Sequence, residues 1–511
     1  MTSRAAVLRR GLPSWTVAAL WTLALGLWGL SRQHSVWRDE AATWLVAVRP
    51  AGEIRHLLTH VDAVHGLYYL LMHGLFGWFG PSITTLRLPS VLATAVAAAC
   101  VAVIGRRLAG PWAALGGGMV FGLLPAVQFH LQEGRPYALV AAGAGISTLL
   151  LVNLLQGRGR GTYWVAYGGT VLVCALLNWL SLLILPAHLV TLVRTRAGRG
   201  TWVRWAAASA AAAAGALPLI LFSRSQSGQV AWIPPLTWHM LIGPAVLLTI
   251  GGLGALLDRP RKDPQREGPS QESPSQEGPH REGRLSVAAV GLPLLAVPQL
   301  GLIGLSLAKP LFLDRYVLFS MLGLALLIGA GLETAVRAAS PRIPGAARWL
   351  GPALIAVSVV ALLPQALATR SPGSRVDDVL AMTADVRRLK GPGTAVLFVP
   401  AERRDTKLVS PDAFTGLRDI ALTRSPQESS TLKGVEADPA RIRGAMLAQR
   451  RILLVTDSPD VARPPAGRRD RVKAAVLKKY FTVVADERVR GRRVTLYERL
   501  GAARPSPGSA R

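Results

Sequence analysis

Acid is what this chain is short of. It holds 29 Asp and Glu against 58 Lys and Arg, and only 17% of its residues are charged at all. In a soluble protein a net charge of +29 would suggest a nucleic-acid partner. Half of the residues are hydrophobic, however, and they come in long blocks. That is the pattern of a polytopic membrane protein rather than of one large soluble core. The cations then read as loop residues flanking membrane spans, plus a basic C-terminal segment, and nucleic acid is set aside as a partner. Cysteine is nearly missing too. Cys100 and Cys174 are the only two, and both fall inside apolar blocks. There they are inert packing residues and say nothing about redox compartment.

Windows of about 20 apolar residues predict spans near 13–31, 87–105, 111–129, 137–155, 163–180, 181–194, 202–222, 238–257, 285–307, 317–335 and 349–369. The first is long and lacks a small-residue cleavage site, which separates it from a signal peptide. Leu67 to Phe79 is a twelfth apolar run, but it is short and contains His73. It reads as a helix lying in or re-entering the interface. The positive-inside rule supports this count. With the N-terminus in the cytoplasm, inner loops carry twenty Lys and Arg and outer loops nine. Counting Leu67 to Phe79 as a span would invert everything after it and break that bias.

Eleven crossings divide the chain into a membrane part, 1–369, and an extracytoplasmic α/β domain, 370–500. The loop 258–284 is polar, Pro-rich and cytoplasmic. It cannot bury a core and is expected to be disordered, as is the tail 501–511. Within the C-terminal domain, Val376 to Lys390 is an amphipathic helix candidate. Thr394 to Val399 and Arg451 to Thr456 read as buried strands, with a helix at Pro439 to Gln449 between them. Arg471 to Tyr480 looks helical, and Phe481 to Ala485 and Val489 to Tyr497 look like strands.

Only six acidic residues of the membrane part fall on the outer side, and two of them, Asp39 and Glu40, follow directly on the first span. Carboxylates beside lipid are costly unless they have a partner or a task. The same outer loops hold His60, Asp62 and His65, then Gln132 to Tyr137, then Lys309 to Tyr316. One face therefore gathers carboxylates, histidines, arginines and tyrosines next to the membrane. That set suits transfer of a sugar from a lipid phosphate. A carboxylate takes the proton of the acceptor, and cations stabilise the departing phosphate. Arg does so in a fork geometry. Tyr and Trp pack on the sugar or anchor in the interface. For Asp39 the plainer alternative is a carboxylate paired with Arg38 or capping a helix. Arg135 and Arg315 are alternatively a snorkelling arginine and a partner of Asp314. His60, Asp62 and His65 are metal-ligating residue types at spacings that do not decide the matter.

The ordered set resembles the C-type glycosyltransferases, the broad group of the protein mannosyltransferases and aminoarabinose transferases. The resemblance rests on Asp39-Glu40 in the first outer loop and on His65-Gly66-Leu67-Tyr68-Tyr69 against a His-Pro-Pro-Leu-Tyr-Tyr-like family segment. It rests also on Arg87-Leu88-Pro89-Ser90, on Arg135 to Leu139, and on Arg315-Tyr316. Gly66 stands where the family usually has proline. The resemblance implies an enzyme that moves a sugar, mannose-like or a pentose, from a polyprenyl-phosphate donor to an extracytoplasmic acceptor with inversion. The acceptor is a protein, a lipid or a glycan. It implies Asp39 as catalytic base with Glu40 beside it, and His65, Arg135, Tyr137, Arg315 and Tyr316 at the donor phosphate and sugar. No cofactor is assigned, with a divalent metal left open. Two rivals are a secondary transporter, which would place charge or broken helices near the bilayer midplane, and a non-catalytic membrane scaffold presenting the external domain. The spans are almost charge-free, which disfavours the first. The acidic pair and the outer arginines have no role in the second.

Overall fold

The structure is a computed structural model and describes residues 12–30, 35–226, 228, 232–258, 285–462, 464 and 467–501. The polar loop 259–284 and the tail 502–511 lie outside the described residues. Chain contacts divide the molecule into two compact units. One comprises Met1–Leu30, Ala63–Tyr68 and Arg87–Ala368; the other comprises Ser31–Asp62, Tyr69–Leu86 and Thr369–Arg511.

The first unit is helical. Among the described residues, seven helices are long and apolar enough to cross a membrane: Ile83–Leu108, Tyr137–Leu155, Arg199–Ser225, Trp238–Leu257, Val287–Ala308, Asp314–Ala339 and Trp349–Ala368. Three shorter apolar helices, Ser14–Leu27, Thr162–Leu177 and Trp179–Arg194, fill three more of the expected positions. The expected span at 111–129 is not straight. It is two helices, Pro111–Leu123 and Pro125–Leu131, bent by 61°. Leu124 is extended, with φ −55° and ψ 132°, because a residue before proline is pushed out of the helical region. All eleven expected segments are therefore helical, one of them broken.

Small residues let these helices approach backbone to backbone, as helices in lipid do without water exclusion to drive them together. Pro111–Leu123 packs against Met321–Ala339 through Ala113, Gly117, Ala325 and Gly329. A Cβ on Gly329 would lie 2.5 Å from the Ala113 carbonyl oxygen, and one on Gly117 would lie 2.9 Å from that of Ala325. The start of Pro111–Leu123 has no capping side chain of its own. Buried Glu333 supplies it from the neighbouring helix, accepting from the Trp112 and Ala113 N–H groups at 2.8 and 3.1 Å. Arg337 Nε holds the other carboxylate oxygen at 3.1 Å.

The second unit contains the C-terminal sheet. Its strands are β1 Thr394–Val399, β2 Arg418–Asp419, β3 Leu422–Arg424, β4 Val435–Glu436, β5 Arg451–Asp457, β6 Phe481–Val489 and β7 Arg492–Arg499. Five of them form one sheet in the order β2-β1-β5-β7-β6, and β3 pairs with β4. β1 runs parallel to β2 and β5, whereas β7 is antiparallel to β5 and β6. Successive residues of β1 and β5 point to opposite faces, and both faces are covered. Leu397 and Ile452 pack with Ile442, Met446, Val476 and Leu477, from helices Pro439–Leu447 and Arg468–Tyr480. Val396, Phe398, Leu453 and Val455 pack with Met382, Val386 and Phe414 on the other side. Burial on both faces is why these strands read as unbroken apolar runs. The helix expected over Val376 to Lys390 forms only at Thr383–Leu389. The preceding residues are not helical because the Asp377 and Asp378 side chains, both buried, are bonded elsewhere. The same unit holds helices Arg38–Ala47 and Ala51–Leu58. The apolar run at 67–79 is a 14-residue helix, Gly66–Phe79, opening on Gly66.

Candidate functional site

In the first unit, four stretches of chain far apart in sequence meet around Arg135 and Arg315. The bend at Leu124 turns helix Pro125–Leu131 into the loop Gln132 to Pro136. Gln132 anchors that loop by donating from Nε2 to the Gly26 and Trp28 carbonyls at 2.6 and 2.9 Å, groups that the end of helix Ser14–Leu27 leaves unbonded. Ser90 anchors it again, its hydroxyl donating to the Glu133 carbonyl at 2.5 Å and lying 3.3 Å from that of Arg135. The Arg87 to Ser90 element thus serves to hold the Arg135 loop.

Arg135 is 7% exposed, and its Nη2 donates to His65 Nε2 at 3.1 Å. A guanidinium is only a donor, so His65 accepts at Nε2 and is neutral. Its pKa is held well below the usual histidine range, first by loss of water around the ring and then by the positive fields of Arg135 and Arg315. Arg315 sits among three aromatic rings, its Cζ 5.7 Å from the Tyr137 centroid and 5.9 Å from those of Trp232 and Tyr316. These are cation–π distances. Tyr137 and Tyr316 are themselves 6.2 Å apart. All five residues expected at the donor, His65, Arg135, Tyr137, Arg315 and Tyr316, belong to this one cluster. Arg315 remains part exposed. Two fixed cations and a neutral histidine lined by tyrosines favour an anion carrying an apolar or sugar group.

His130 and Glu133 extend the cluster. His130 Nδ1 pairs with Glu133 Oε2, both residues are buried, and the His130 ring lies edge-on to Tyr137 at 5.6 Å. His130 also lines a mostly apolar cavity of about 340 Å³, together with Met240, Leu247, Gln299, Phe312 and Met321. Sequence reasoning missed His130 because a histidine inside an apolar run carries no signal of its partner. Trp232 joins the cluster as well, its ring facing the Arg315 guanidinium.

In the second unit, Asp39 and Glu40 occupy the first turn of helix Arg38–Ala47, where the helix dipole favours negative charge. They are not equivalent. Successive helical residues point about 100° apart, so Glu40 is 0% exposed while Asp39 is part exposed. Arg38 directs Nε to Asp377 at 3.2 Å, so its bond goes to another carboxylate. Asp62 accepts from the Tyr69 hydroxyl at 2.7 Å. His60 Nδ1 lies 2.9 Å from Thr59 Oγ1 and 3.0 Å from the His56 carbonyl. Among the described residues no group of three or more His, Cys, Asp or Glu side chains is placed to hold a metal ion, and the set His60, Asp62 and His65 is not such a group.

No protein-family model matches the sequence, and no curated protein does. Solved structures do. The apo form of ArnT from Cupriavidus metallidurans superposes with a TM-score of 0.57 at 13% identity, covering 94% of this chain and 97% of that one. The same protein bound to undecaprenyl phosphate superposes with a TM-score of 0.55 at 14% identity, covering 95% and 98%. The agreement covers nearly the whole of both chains, and this chain shares the fold of that protein.

Proposed function

We propose that the protein is a membrane glycosyltransferase that takes a sugar from a polyprenyl-phosphate donor and passes it to an extracytoplasmic acceptor. The observation that carries this reading is the cluster of His65, Arg135 and Arg315 with Tyr137 and Tyr316, drawn from three separate segments. The likeness in fold to a protein solved with undecaprenyl phosphate supports it.

In this reading Arg135 and Arg315 bind the donor phosphate and His65 keeps the Arg135 fork aimed. The Asp39 carboxylate removes the proton of an acceptor hydroxyl. The hydroxyl oxygen attacks the anomeric carbon from the face opposite the phosphate. The bond from that carbon to the phosphate oxygen breaks as the new glycosidic bond forms, and polyprenyl phosphate leaves as an anion neutralised by the two guanidiniums. The configuration inverts. Asp39 is assigned the base role over Glu40 because it is the accessible member of the pair. The positive-inside bias supports a cytoplasmic N-terminus and an external C-terminal domain.

The test is sugar transfer by purified full-length protein in detergent. Asp39→Asn is expected to lower kcat at least about 100-fold, the usual contribution of a general base. Wild-type kcat in that variant refutes the assignment. Counterflow of a soluble substrate in vesicles would favour the transporter reading instead.

A further inference from the structure

The helix that carries Asp39 is fastened at both ends by the C-terminal domain of its own unit. Residues 36–38, just ahead of Asp39, run beside residues 377–379. The Val379 N–H donates to the Val36 carbonyl at 2.6 Å. The Val36 N–H donates to Asp378 Oδ1 at 3.2 Å, and Arg490 Nη1 holds Asp378 Oδ2 at 2.9 Å. Asp377 Oδ1 accepts from the Arg38 N–H at 3.3 Å, and its Oδ2 from Arg38 Nε at 3.2 Å and from Arg492 Nη2 at 2.9 Å. The Arg38 N–H is among the first of the helix and has no partner within it. The residue at the cap position, Trp37, offers no side-chain bond. Asp377 therefore caps the helix from 339 residues away.

The other end is held by Arg49, which is 5% exposed. Its Nε donates to the Leu45 carbonyl at 3.3 Å, at the end of the same helix. Its Nη2 and Nη1 donate to the Thr431 and Pro426 carbonyls at 2.8 and 3.5 Å. Between the two ends, Ala41 packs with Val36 and Val379. Arg492, fully buried, is held in turn by both oxygens of Asp405 at 2.9 and 2.8 Å.

We propose that Asp377 and Arg49 are positioning residues for the base, and that the C-terminal domain acts in catalysis by setting the direction of helix Arg38–Ala47 and with it the Asp39 carboxylate. This rests on Asp39 being the base. Neither residue belongs to the cationic cluster around Arg135, so their loss is expected to act on turnover and leave donor binding intact. A displacement of about 1 Å at a reacting group costs on the order of 100-fold in rate.

The experiment uses full-length protein with Asp377→Asn, Arg49→Gln and Arg49→Lys, each alone, and Asp377→Asn also combined with Asp39→Asn. Turnover and undecaprenyl phosphate binding are measured on each. Asp377→Asn and Arg49→Gln are expected to lower kcat about 10- to 100-fold, with the donor dissociation constant unchanged within about twofold. Arg49→Lys, which still reaches one carbonyl, recovers part of the loss. In the Asp39→Asn background, Asp377→Asn produces no further fall, because the group it positions is already gone. Wild-type kcat in the Asp377 and Arg49 variants overturns the positioning role, as does a parallel loss of donor binding or a loss that multiplies with that of Asp39→Asn. Wild-type kcat in Asp39→Asn itself overturns the base assignment instead, so the two failures are distinct.

Discussion

Arg315 is the side chain whose replacement tests the proposed phosphate site most sharply. It carries a full charge, it is part exposed, and three aromatic faces lie 5.7, 5.9 and 5.9 Å from its guanidinium carbon. Those rings hold it in one orientation. Each such contact contributes about 0.5–1 kcal/mol at a partly exposed site, mostly before any donor arrives. The part that changes on donor binding is the charge-assisted bond to phosphate, about 1.5–3 kcal/mol. At about 1.4 kcal/mol per decade, Arg315→Gln is expected to weaken binding of undecaprenyl phosphate roughly 10- to 150-fold. Arg315→Lys keeps the charge but loses the planar fork and the stacking, and is expected to lie between. The assay is calorimetric titration of the lipid phosphate into detergent-purified protein. Arg443→Gln, an exposed arginine of the C-terminal domain, serves as control. A dissociation constant within twofold of wild type for Arg315→Gln would refute the assignment of this cluster to the donor phosphate.

Two further expectations follow from the same geometry. His65 has a folded pKa held well below the ordinary 6.5, so below pH about 6.5 the unfolded chain takes up a proton that the folded one refuses. Stability contributed there is present above pH 6.5 and is lost as the pH falls, by up to about 1.4 kcal/mol per pH unit. Thermal melts between pH 7.5 and 5 are expected to show a slope that His65→Gln flattens, and an unchanged slope would contradict it. Glu333→Ala leaves the Trp112 and Ala113 N–H groups without their acceptor and is expected to cost about 1–3 kcal/mol, read as a lower melting temperature with donor affinity retained.

Much of this architecture was legible because lipid imposes one rule, that a crossing segment must be long and apolar. Each of the eleven windows is helical for that reason. That His65, Arg135, Tyr137, Arg315 and Tyr316 lie near one another was partly legible too: arginines and tyrosines beside a membrane are costly or interfacial, and the loop order puts them on one side. Other features were not readable by period or hydropathy. Pro125 marks a break, but not that the following turn delivers His130 to Glu133. Val376 to Lys390 has a helical pattern, yet Asp377 and Asp378 are taken by groups 339 and 342 residues earlier, and the backbone there is not helical. The short strands β2, β3 and β4 are two or three residues each, too brief to leave a periodic trace. Ser90 was visible only as part of a motif. Its use, holding the Glu133 and Arg135 carbonyls, is a tertiary contact that spacing does not encode.

The glycine contact between Pro111–Leu123 and Met321–Ala339 limits how this bundle can flex. With Gly329 packed against the Ala113 carbonyl and Gly117 against that of Ala325, no rotamer is available there to yield by degrees. Those two rods travel as a fixed keel. Any rearrangement within the bundle then falls to helices whose contacts are made by side chains.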